Sequence, residues 1–212
     1  MKKTVWLSML LLLLMTTMAC KIWGIEIPPA TDESPAATSE GKSGSSSDEV
    51  KVTIKNISPE DACAVYITSV EDDEWGDNLL EDTLSNGDSK TFTFDAGTYD
   101  VDVDNCDGVV IATAWEIDSS TTVQVGESGA TTRLTVENAT DTEICYLYVS
   151  PLDSEEWGGD QLGDMEQIPV GELRMFFVEP GVYDLLAADC EDNTLLEEYE
   201  VDLNSDMSWT IQ

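Results

Sequence analysis

Apolar and polar residues alternate with period two over long parts of this chain. The segment from Tyr99 to Asp104 is one example, in which valines alternate with aspartates. Such alternation, interrupted by Gly and Asn-Gly turns, is typical of half-buried β-strands. The pattern predicts about six strands in the first half of the folded region and counterparts in the second. The first six are expected at 50–56, 62–70, 89–95, 98–104, 109–117 and 120–126. A single helical turn is expected at 77–82.

An internal repeat predicts that one structural unit occurs twice. The segment 52–56 recurs at 134–138, at an offset of 82, and the Gly-x-Tyr-Asp motif at 97–100 recurs at 181–184, at an offset of 84. The expected fold is all-β, with two tandem small antiparallel immunoglobulin-like sandwiches after a signal peptide and a flexible linker. The expected domains are 50–126 for repeat one and 127–212 for repeat two.

Residues 1–19 have the features of a secretory signal peptide: a positive start, a leucine-rich run and small residues before a cysteine. The apolar run is shorter than the roughly 20 residues that a membrane-spanning helix needs. The end of this segment resembles the lipobox of bacterial lipoproteins, with Thr17 and Met18 departing from its usual residues. The resemblance implies that Cys20 is lipid-modified and becomes the first mature residue. Ordinary cleavage after Ala19 is the alternative.

The residues after the cysteine are expected to tether the folded part to a membrane. Residues 20–49 form the predicted lipid anchor and disordered linker, because 28–49 is rich in serine and proline and has no aromatic residue. Lys21 stands where inner-membrane lipoproteins of Gram-negative cells carry an aspartate. The resemblance therefore implies a cell-envelope location on the periplasmic or extracellular side, at the outer membrane if the source has one.

The charge balance excludes several classes of function. The 212 residues contain 44 acidic side chains, 9 basic ones and no histidine, for a net charge of −35. Such a chain repels phosphate backbones, so no nucleic-acid partner is expected. Histidine-dependent catalytic sites and the common zinc sites are impossible, and no cofactor or enzyme motif is present. The charge is consistent with capture of a basic partner or of divalent cations near the envelope, and with solubility and mutual repulsion at the cell surface as the alternative.

Five cysteines divide into the predicted lipidation site and two cysteines per repeat. Cys63 and Cys106 occupy positions equivalent to Cys145 and Cys190. Exported proteins retain disulfides, and small domains depend on them. Four cysteines allow three pairings, and the duplication favours pairing within each repeat. Buried free thiols are the alternative.

Two local features are candidate ligand contacts. Acidic loops around Trp75 and Trp157 offer aromatic platforms for a sugar ring or a cation. Alternatively, both tryptophans fill the open ends of the sandwiches. Asp100, Asp102 and Asp104 share one face of a strand and are a weak candidate for Ca²⁺. Repeat two keeps only one of these aspartates, which favours a solvated strand face instead.

The repeat motifs also suggest a class of protein. Cys-x-x-Tyr, Trp-Gly, Gly-x-Tyr-Asp and a cysteine after Asp or Asn are similar to modules of uncharacterised bacterial surface lipoproteins over residues 50–212. The resemblance implies a location and no mechanism. We expect a membrane-anchored, acidic, non-catalytic binding module with an envelope protein or glycan as partner. A spacer without ligand and a glycan-acting enzyme using loop carboxylates are the alternatives. The oligomeric state is not determined by the sequence.

Overall fold

Residues 49–212 form twelve β-strands in the computed structural model, which describes this part of the chain. The expected signal peptide, Cys20 and the linker up to residue 48 lie outside the described residues. The strands are β1 (Glu49–Asn56), β2 (Ala62–Ser69), β3 (Ser89–Asp95), β4 (Tyr99–Asn105), β5 (Val110–Ile117), β6 (Thr121–Val125), β7 (Thr132–Asn138), β8 (Tyr146–Pro151), β9 (Leu173–Val178), β10 (Val182–Ala188), β11 (Thr194–Asp202) and β12 (Met207–Ile211). From residue 49 onward, no helix is long and apolar enough to cross a membrane.

The helical turn expected at 77–82 does not form. This segment is an irregular loop whose conformation depends on the side chain of Asn78. The Asn78 Oδ1 atom accepts hydrogen bonds from the backbone N–H groups of Val65 (3.0 Å) and Leu80 (2.9 Å). Local bonds of this kind compete with helix formation, and the first of them ties the loop to β2.

The strands form three sheets, and the two halves of the chain pair their strands in the same way. The first strand of each half, β1 or β7, lies antiparallel to β3 or β9 and parallel to β6 or β12. The strands β4 and β10 pair antiparallel on both sides, with β2 and β5 or with β8 and β11. The sheet orders are β3-β1-β6, β11-β10-β8 and β12-β7-β9-β5-β4-β2. The six-stranded sheet runs through both halves because β5 and β9 meet in parallel at Val110 and Arg174.

The all-β fold is confirmed, but the expectation of purely antiparallel sheets is wrong. Three pairings are parallel: β1 with β6, β7 with β12, and β5 with β9. The last strand of each repeat crosses to the other sheet and runs beside the first strand in the same direction. Alternation identifies a strand and its buried face, whereas the direction of its partner depends on how the chain crosses between sheets.

Two clusters of buried apolar side chains underlie the two halves. Strand β9 contributes to both, because Met175 packs in the first cluster while Phe176 and Val178 pack in the second. Each fully buried Val, Leu or Ile contributes about 1.5–3 kcal/mol. Since one strand serves both clusters, residues 49–212 belong to one compact unit. The fully buried side chains include Val52, Ile54, Val65, Val101 and Val103 in the first cluster and Leu134, Ile144, Leu147, Ile168, Leu185, Leu203 and Ile211 in the second.

A buried asparagine ends the first strand of each repeat. The Asn56 amide donates to the backbone carbonyls of Glu60 and Leu84, each at 2.7 Å, and accepts from the N–H and hydroxyl groups of Ser58. Asn138 makes the corresponding set of bonds in repeat two. A fully buried amide needs such complete pairing, which explains why both repeats carry asparagine here.

The tyrosine of the Gly-x-Tyr-Asp motif is a structural residue in both repeats. The Tyr99 hydroxyl donates to the carbonyl of Asp95 at 3.0 Å, and the Tyr183 hydroxyl donates to the carbonyl of Glu179 at 2.8 Å. The ring lies across the preceding glycine, because a Cβ atom on Gly97 would stand only 3.1 Å from the Tyr99 hydroxyl oxygen. The motif therefore fastens the corner that leads into β4 or β10.

We expect Tyr99→Phe to lower the free energy of unfolding by about 0.5–1.5 kcal/mol, because it removes this hydrogen bond and keeps the ring. Tyr183→Phe is expected to have a similar effect at the same corner of repeat two. Urea denaturation followed by fluorescence measures both. An unchanged unfolding midpoint in both variants would show that the hydroxyls contribute nothing to stability.

Candidate functional site

An open depression in repeat one exposes the side chain of Trp75. Its volume is about 690 Å³, and an adjoining depression of about 190 Å³ shares most of its lining. The exposed fraction of Trp75 is 42%, and its ring centroid lies 6.0 Å from that of Trp115, with 54° between the ring planes. Because Trp75 lies on the loop after β2 and Trp115 on β5, two distant segments build one aromatic surface.

Carboxylates surround this aromatic surface. The loop that carries Trp75 is held by the Gly76 N–H, which donates to the Thr68 hydroxyl at 3.1 Å, and by a backbone bond from Asp72 to Ser69. Neither depression is lined by a lysine or an arginine. The site therefore combines aromatic faces with uncompensated negative charge. The acidic lining residues are Asp72, Asp73, Glu74 and, in the smaller depression, Asp100.

The corresponding tryptophan of repeat two is buried. Trp157 is only 7% exposed, and its ring lies 6.5 Å from the ring of Tyr148 and 6.1 Å from that of Tyr199. Tyr199 is the counterpart of Trp115 at the repeat offset of 84. Sequence reasoning treats the two tryptophans alike, whereas the structure exposes Trp75 and uses Trp157 as packing.

The first aspartate of the row on β4 supports a local irregularity of the strand. The Asp100 Oδ1 atom accepts from the backbone N–H of Glu116 at 2.8 Å. Glu116 has a φ of 52° and lies where the pairing of β4 with β5 shifts register, as in a β-bulge. In repeat two, Asp184 accepts from Glu200 in the same way at 3.0 Å. The aspartate of the Gly-x-Tyr-Asp motif therefore stabilises a bulge in each repeat.

A buried ion pair joins the two repeats. The Arg174 guanidinium donates to the Glu166 carboxylate, and both residues are nearly inaccessible to solvent. Arg174 Nη1 also donates to the carbonyls of Val110 (3.0 Å) and Met175 (2.7 Å), and the Thr113 hydroxyl donates to Glu166 at 2.7 Å. Since Val110 and Thr113 belong to repeat one, the pair is held by hydrogen bonds from both repeats.

The remaining aspartates of the row, Asp102 and Asp104, are half-buried and lie within electrostatic range of this ion pair. The pKa of Asp102 is raised to about 7, chiefly by burial and then by the charge of Asp104, with a smaller contribution from Glu166, while Arg174 lowers it. Burial also raises the pKa of Asp104. The Oδ1 atoms of both aspartates are buried with no hydrogen-bond partner among residues 49–212. The guanidinium of Arg174 supplies a positive charge near these two carboxylates. The weak Ca²⁺ candidate at Asp100, Asp102 and Asp104 and the solvated strand face both stay predictions.

The four cysteines of the described region form two disulfides. Cys63 joins Cys106 and Cys145 joins Cys190, with Cα atoms 4.9 Å apart in each bond. The bonds lie at the ends of the antiparallel pairs β2–β4 and β8–β10, and they are compatible with an extracellular or periplasmic location. In the part of the chain that the structure describes, one group combines three residues of metal-ligating type, Glu143 with Cys145 and Cys190. Its two sulfurs are engaged in the disulfide and offer no thiolate.

Comparison with known proteins identifies no family. No protein-family model and no curated protein matches this chain. Among solved structures, the Bacillus anthracis TIE protein matches with 7% sequence identity and a TM-score of 0.25. The match covers 78% of this chain and 34% of that chain, so this chain spans about a third of the length of that protein. Similarity at this level carries no inference about function.

Sequence reasoning missed Trp115 and the ion pair. Trp115 has a sequence signal, because the repeat offset aligns it with Tyr199 and so places an aromatic residue at the same strand position in both copies. Arg174 aligns with Lys90, since the two occupy the same register against β7 and β1. Lys90 is exposed and Arg174 is buried. No local signal distinguishes them, because the burial of Arg174 depends on the contact between β9 and β5.

A second depression, of about 470 Å³, lies beside the ion pair and is lined by both repeats. Asp160 is one of its lining residues and accepts from the N–H groups of Leu147 (2.8 Å) and Leu162 (3.1 Å). Burial raises the pKa of this carboxyl group. The equivalent residue of repeat one is Asn78, whose Nδ2 atom also donates to the carbonyl of Cys63 at 3.1 Å.

We expect Asp160→Asn to raise the free energy of unfolding by about 0.5–1.5 kcal/mol at pH 7, because the amide adds a donor where the carboxylate has none. The gain is expected to shrink at acid pH. The raised pKa of Asp160 means that the folded state binds the proton more tightly than the unfolded state, so protonation stabilises the unchanged protein and reduces its difference from the variant. Thermal unfolding at pH 7 and pH 4 measures the change. The converse variant Asn78→Asp is expected to be destabilising; stabilisation by both would contradict the argument.

Proposed function

We propose that this protein is an exported, lipid-anchored protein of the bacterial cell envelope that binds a partner without catalysis. Residues 1–19 act as the signal peptide, Cys20 carries the lipid, and 20–49 tether the folded part to the membrane. The lipobox-like residues before Cys20 support the anchor. The two disulfides support an extracytoplasmic location, where such bonds persist.

The folded part consists, in this proposal, of two immunoglobulin-like sandwiches at 50–126 and 127–212. Three features support the assignment: identical strand pairing in the two halves, one apolar cluster per half, and the tyrosine-to-carbonyl bond before β4 and β10. Immunoglobulin-like domains have a comparable tyrosine corner. The parallel contact between β5 and β9 and the Arg174–Glu166 pair hold the two sandwiches against each other.

The exposed indole of Trp75 beside Trp115 is the observation that carries the binding function. Repeat two shows that this loop is able to bury its tryptophan, so the exposure in repeat one is a departure from the arrangement that stabilises the fold. Exposed aromatic surfaces with polar rims are typical of interaction sites. We therefore place the contact in repeat one alone, which replaces the expectation of two equivalent contacts at Trp75 and Trp157.

The site is proposed to bind rather than react. The lining of the two adjoining depressions offers indole faces, hydroxyl groups and exposed carboxylates. None of these groups is paired with a base in the way that an activated nucleophile requires. These side chains are suited to binding a partner through aromatic stacking and through attraction between charges.

Capture of envelope components by the full-length protein tests the binding function. Trp75→Ala is expected to abolish specific capture from detergent-solubilised envelope. Tyr199→Ala, which removes an exposed aromatic residue from the equivalent strand of repeat two, is expected to leave it intact. Capture of the same components by Trp75→Ala and the unchanged protein would end this assignment.

Metabolic labelling tests the anchor separately. Labelled palmitate is expected to enter the unchanged protein and not the Cys20→Ala variant, because the acyl chain is attached at that cysteine. The variant is expected in the soluble fraction. Incorporation of equal label by both proteins would place the lipid elsewhere.

A structural spacer without ligand is the second candidate. The burial of Trp157 and the buried ion pair between the repeats favour it, because both make the two-repeat body more rigid. A spacer predicts that Trp75→Ala changes neither capture nor localisation, so the capture experiment separates the two functions.

A further inference from the structure

The depression around Trp75 has the charge of a receptor for cations. It is lined by Asp72, Asp73 and Glu74, with no lysine or arginine in its lining. Residues 49–212 contain five basic side chains in all, and one of them, Arg174, is buried in the ion pair. The negative charge around the indole is thus left for a partner to neutralise.

We propose that this depression binds arginine side chains of a basic polypeptide. The inference rests on the binding function proposed above and names the chemistry of the ligand. The face of an indole attracts cations, and a guanidinium stacks on it as a flat group while its N–H groups donate to carboxylates. Trp75 supplies the exposed face, and the carboxylates of Asp73 and Glu74 immediately precede it in the chain and line the same depression.

The shape of the site argues for a polypeptide rather than a small free cation. The depression is open to solvent and has a volume of about 690 Å³, within the range of ligand sites in proteins. One exposed cation–π contact or one exposed ion pair strengthens binding only about two- to fivefold. Useful affinity therefore requires several such contacts from one chain, which a basic segment provides and a single small cation does not.

The overall charge extends this complementarity beyond the depression. With a net charge of −35, the protein attracts a basic segment at long range and accelerates its encounter. Long-range attraction is not specific for a site, since it is shared by both repeats. Specificity for repeat one comes from the exposed Trp75, because the equivalent Trp157 is buried.

The loops of the two repeats offer a matched pair of charge variants. Asp73 and Glu74 precede Trp75, and Glu155 and Glu156 precede Trp157 at the equivalent positions. Asp73→Asn/Glu74→Gln and Glu155→Gln/Glu156→Gln each remove two carboxylates from an exposed loop. The two double variants therefore change the net charge equally. Only the pair in repeat one lies beside an exposed indole.

Titration calorimetry of the full-length protein in detergent, at about 0.15 M salt, tests the proposal. The probes are a short Arg-Gly repeat peptide, the same peptide with lysine, and the same peptide with uncharged citrulline. We expect the arginine peptide to bind most tightly and the citrulline peptide not at all. Trp75→Ala should weaken binding of the arginine peptide about two- to fivefold and abolish its advantage over lysine. Asp73→Asn/Glu74→Gln should weaken it clearly more than Glu155→Gln/Glu156→Gln does.

Several outcomes would overturn the proposal. These are equal binding of the citrulline peptide, no binding of the arginine peptide, no effect of Trp75→Ala, or equal losses in the two double charge variants. A neutral oligosaccharide is included as a separate probe. If it binds in a Trp75-dependent way and the peptides do not, the ligand class is wrong while the binding function stands. Near-UV circular dichroism shows that each variant retains the packing of its aromatic residues.

Discussion

Replacing Arg174 by methionine is expected to lower the free energy of unfolding by about 3–5 kcal/mol at pH 8. The variant leaves the buried carboxylate of Glu166 without its partner, and removing one member of a buried ion pair has a cost of this size. It also removes the donor to the carbonyls of Val110 and Met175. Because Asp102 and Asp104 face the same guanidinium, the loss is expected to be smaller at pH 5, where these groups take up protons more readily.

The double variant Arg174→Met/Glu166→Leu is the control for this effect. It removes both charges, so no unpaired buried ion is left, and replacing such pairs by apolar residues is often neutral or stabilising. We expect it to recover most of the stability that Arg174→Met loses. Urea denaturation of these two variants, of Glu166→Leu alone and of the unchanged protein gives the four free energies of unfolding of a double-mutant cycle. Additive losses in the double variant would mean that the two side chains do not act as a pair.

Asp102→Asn is expected to stabilise the protein by about 3 kcal/mol at pH 8 and to have no effect near pH 3. The folded-state pKa of Asp102, about 7, lies above the usual value of 3.8, so the folded state binds the proton more tightly than the unfolded state. Stability therefore falls as the pH rises from about 4 to about 7, and the amide removes that loss. The groups that face Asp102 are Asp104 on its own strand and Arg174 and Glu166 from repeat two.

The pH profile of unfolding measures this prediction. The difference in the free energy of unfolding between Asp102→Asn and the unchanged protein should increase from pH 4 to pH 7 and stay constant above pH 7. Asp107→Asn, which makes the same change at an exposed turn, is expected to alter stability by less than about 0.5 kcal/mol at any pH. A difference independent of pH would show that the pKa of Asp102 is the same in the folded and the unfolded protein, which contradicts the prediction. Leu186 at the equivalent position of repeat two shows that this face accepts an uncharged side chain.

The candidate site was predictable in part. The acidic loop, Trp75 and the aspartate row were all identifiable from the sequence. The asymmetry between Trp75 and Trp157 was not, because the flanking motifs are nearly the same and the difference lies in how each ring packs against other strands. Trp115, the half-buried ring beside Trp75, was detectable only by extending the repeat alignment to β5.

The strands, their buried faces and the duplication of the unit were all predictable from the amino-acid sequence. Side-chain alternation, turn residues and repeated motifs are local properties, so twelve strands follow from them almost residue by residue. Three outcomes were not predictable in this way: which strands run parallel, which tryptophan is exposed, and the burial of Arg174 where its counterpart Lys90 is exposed. The burial of Arg174 depends on the contact between β5 and β9, and the other two outcomes depend likewise on packing between segments far apart in the chain. Such contacts leave no periodic signal in either segment.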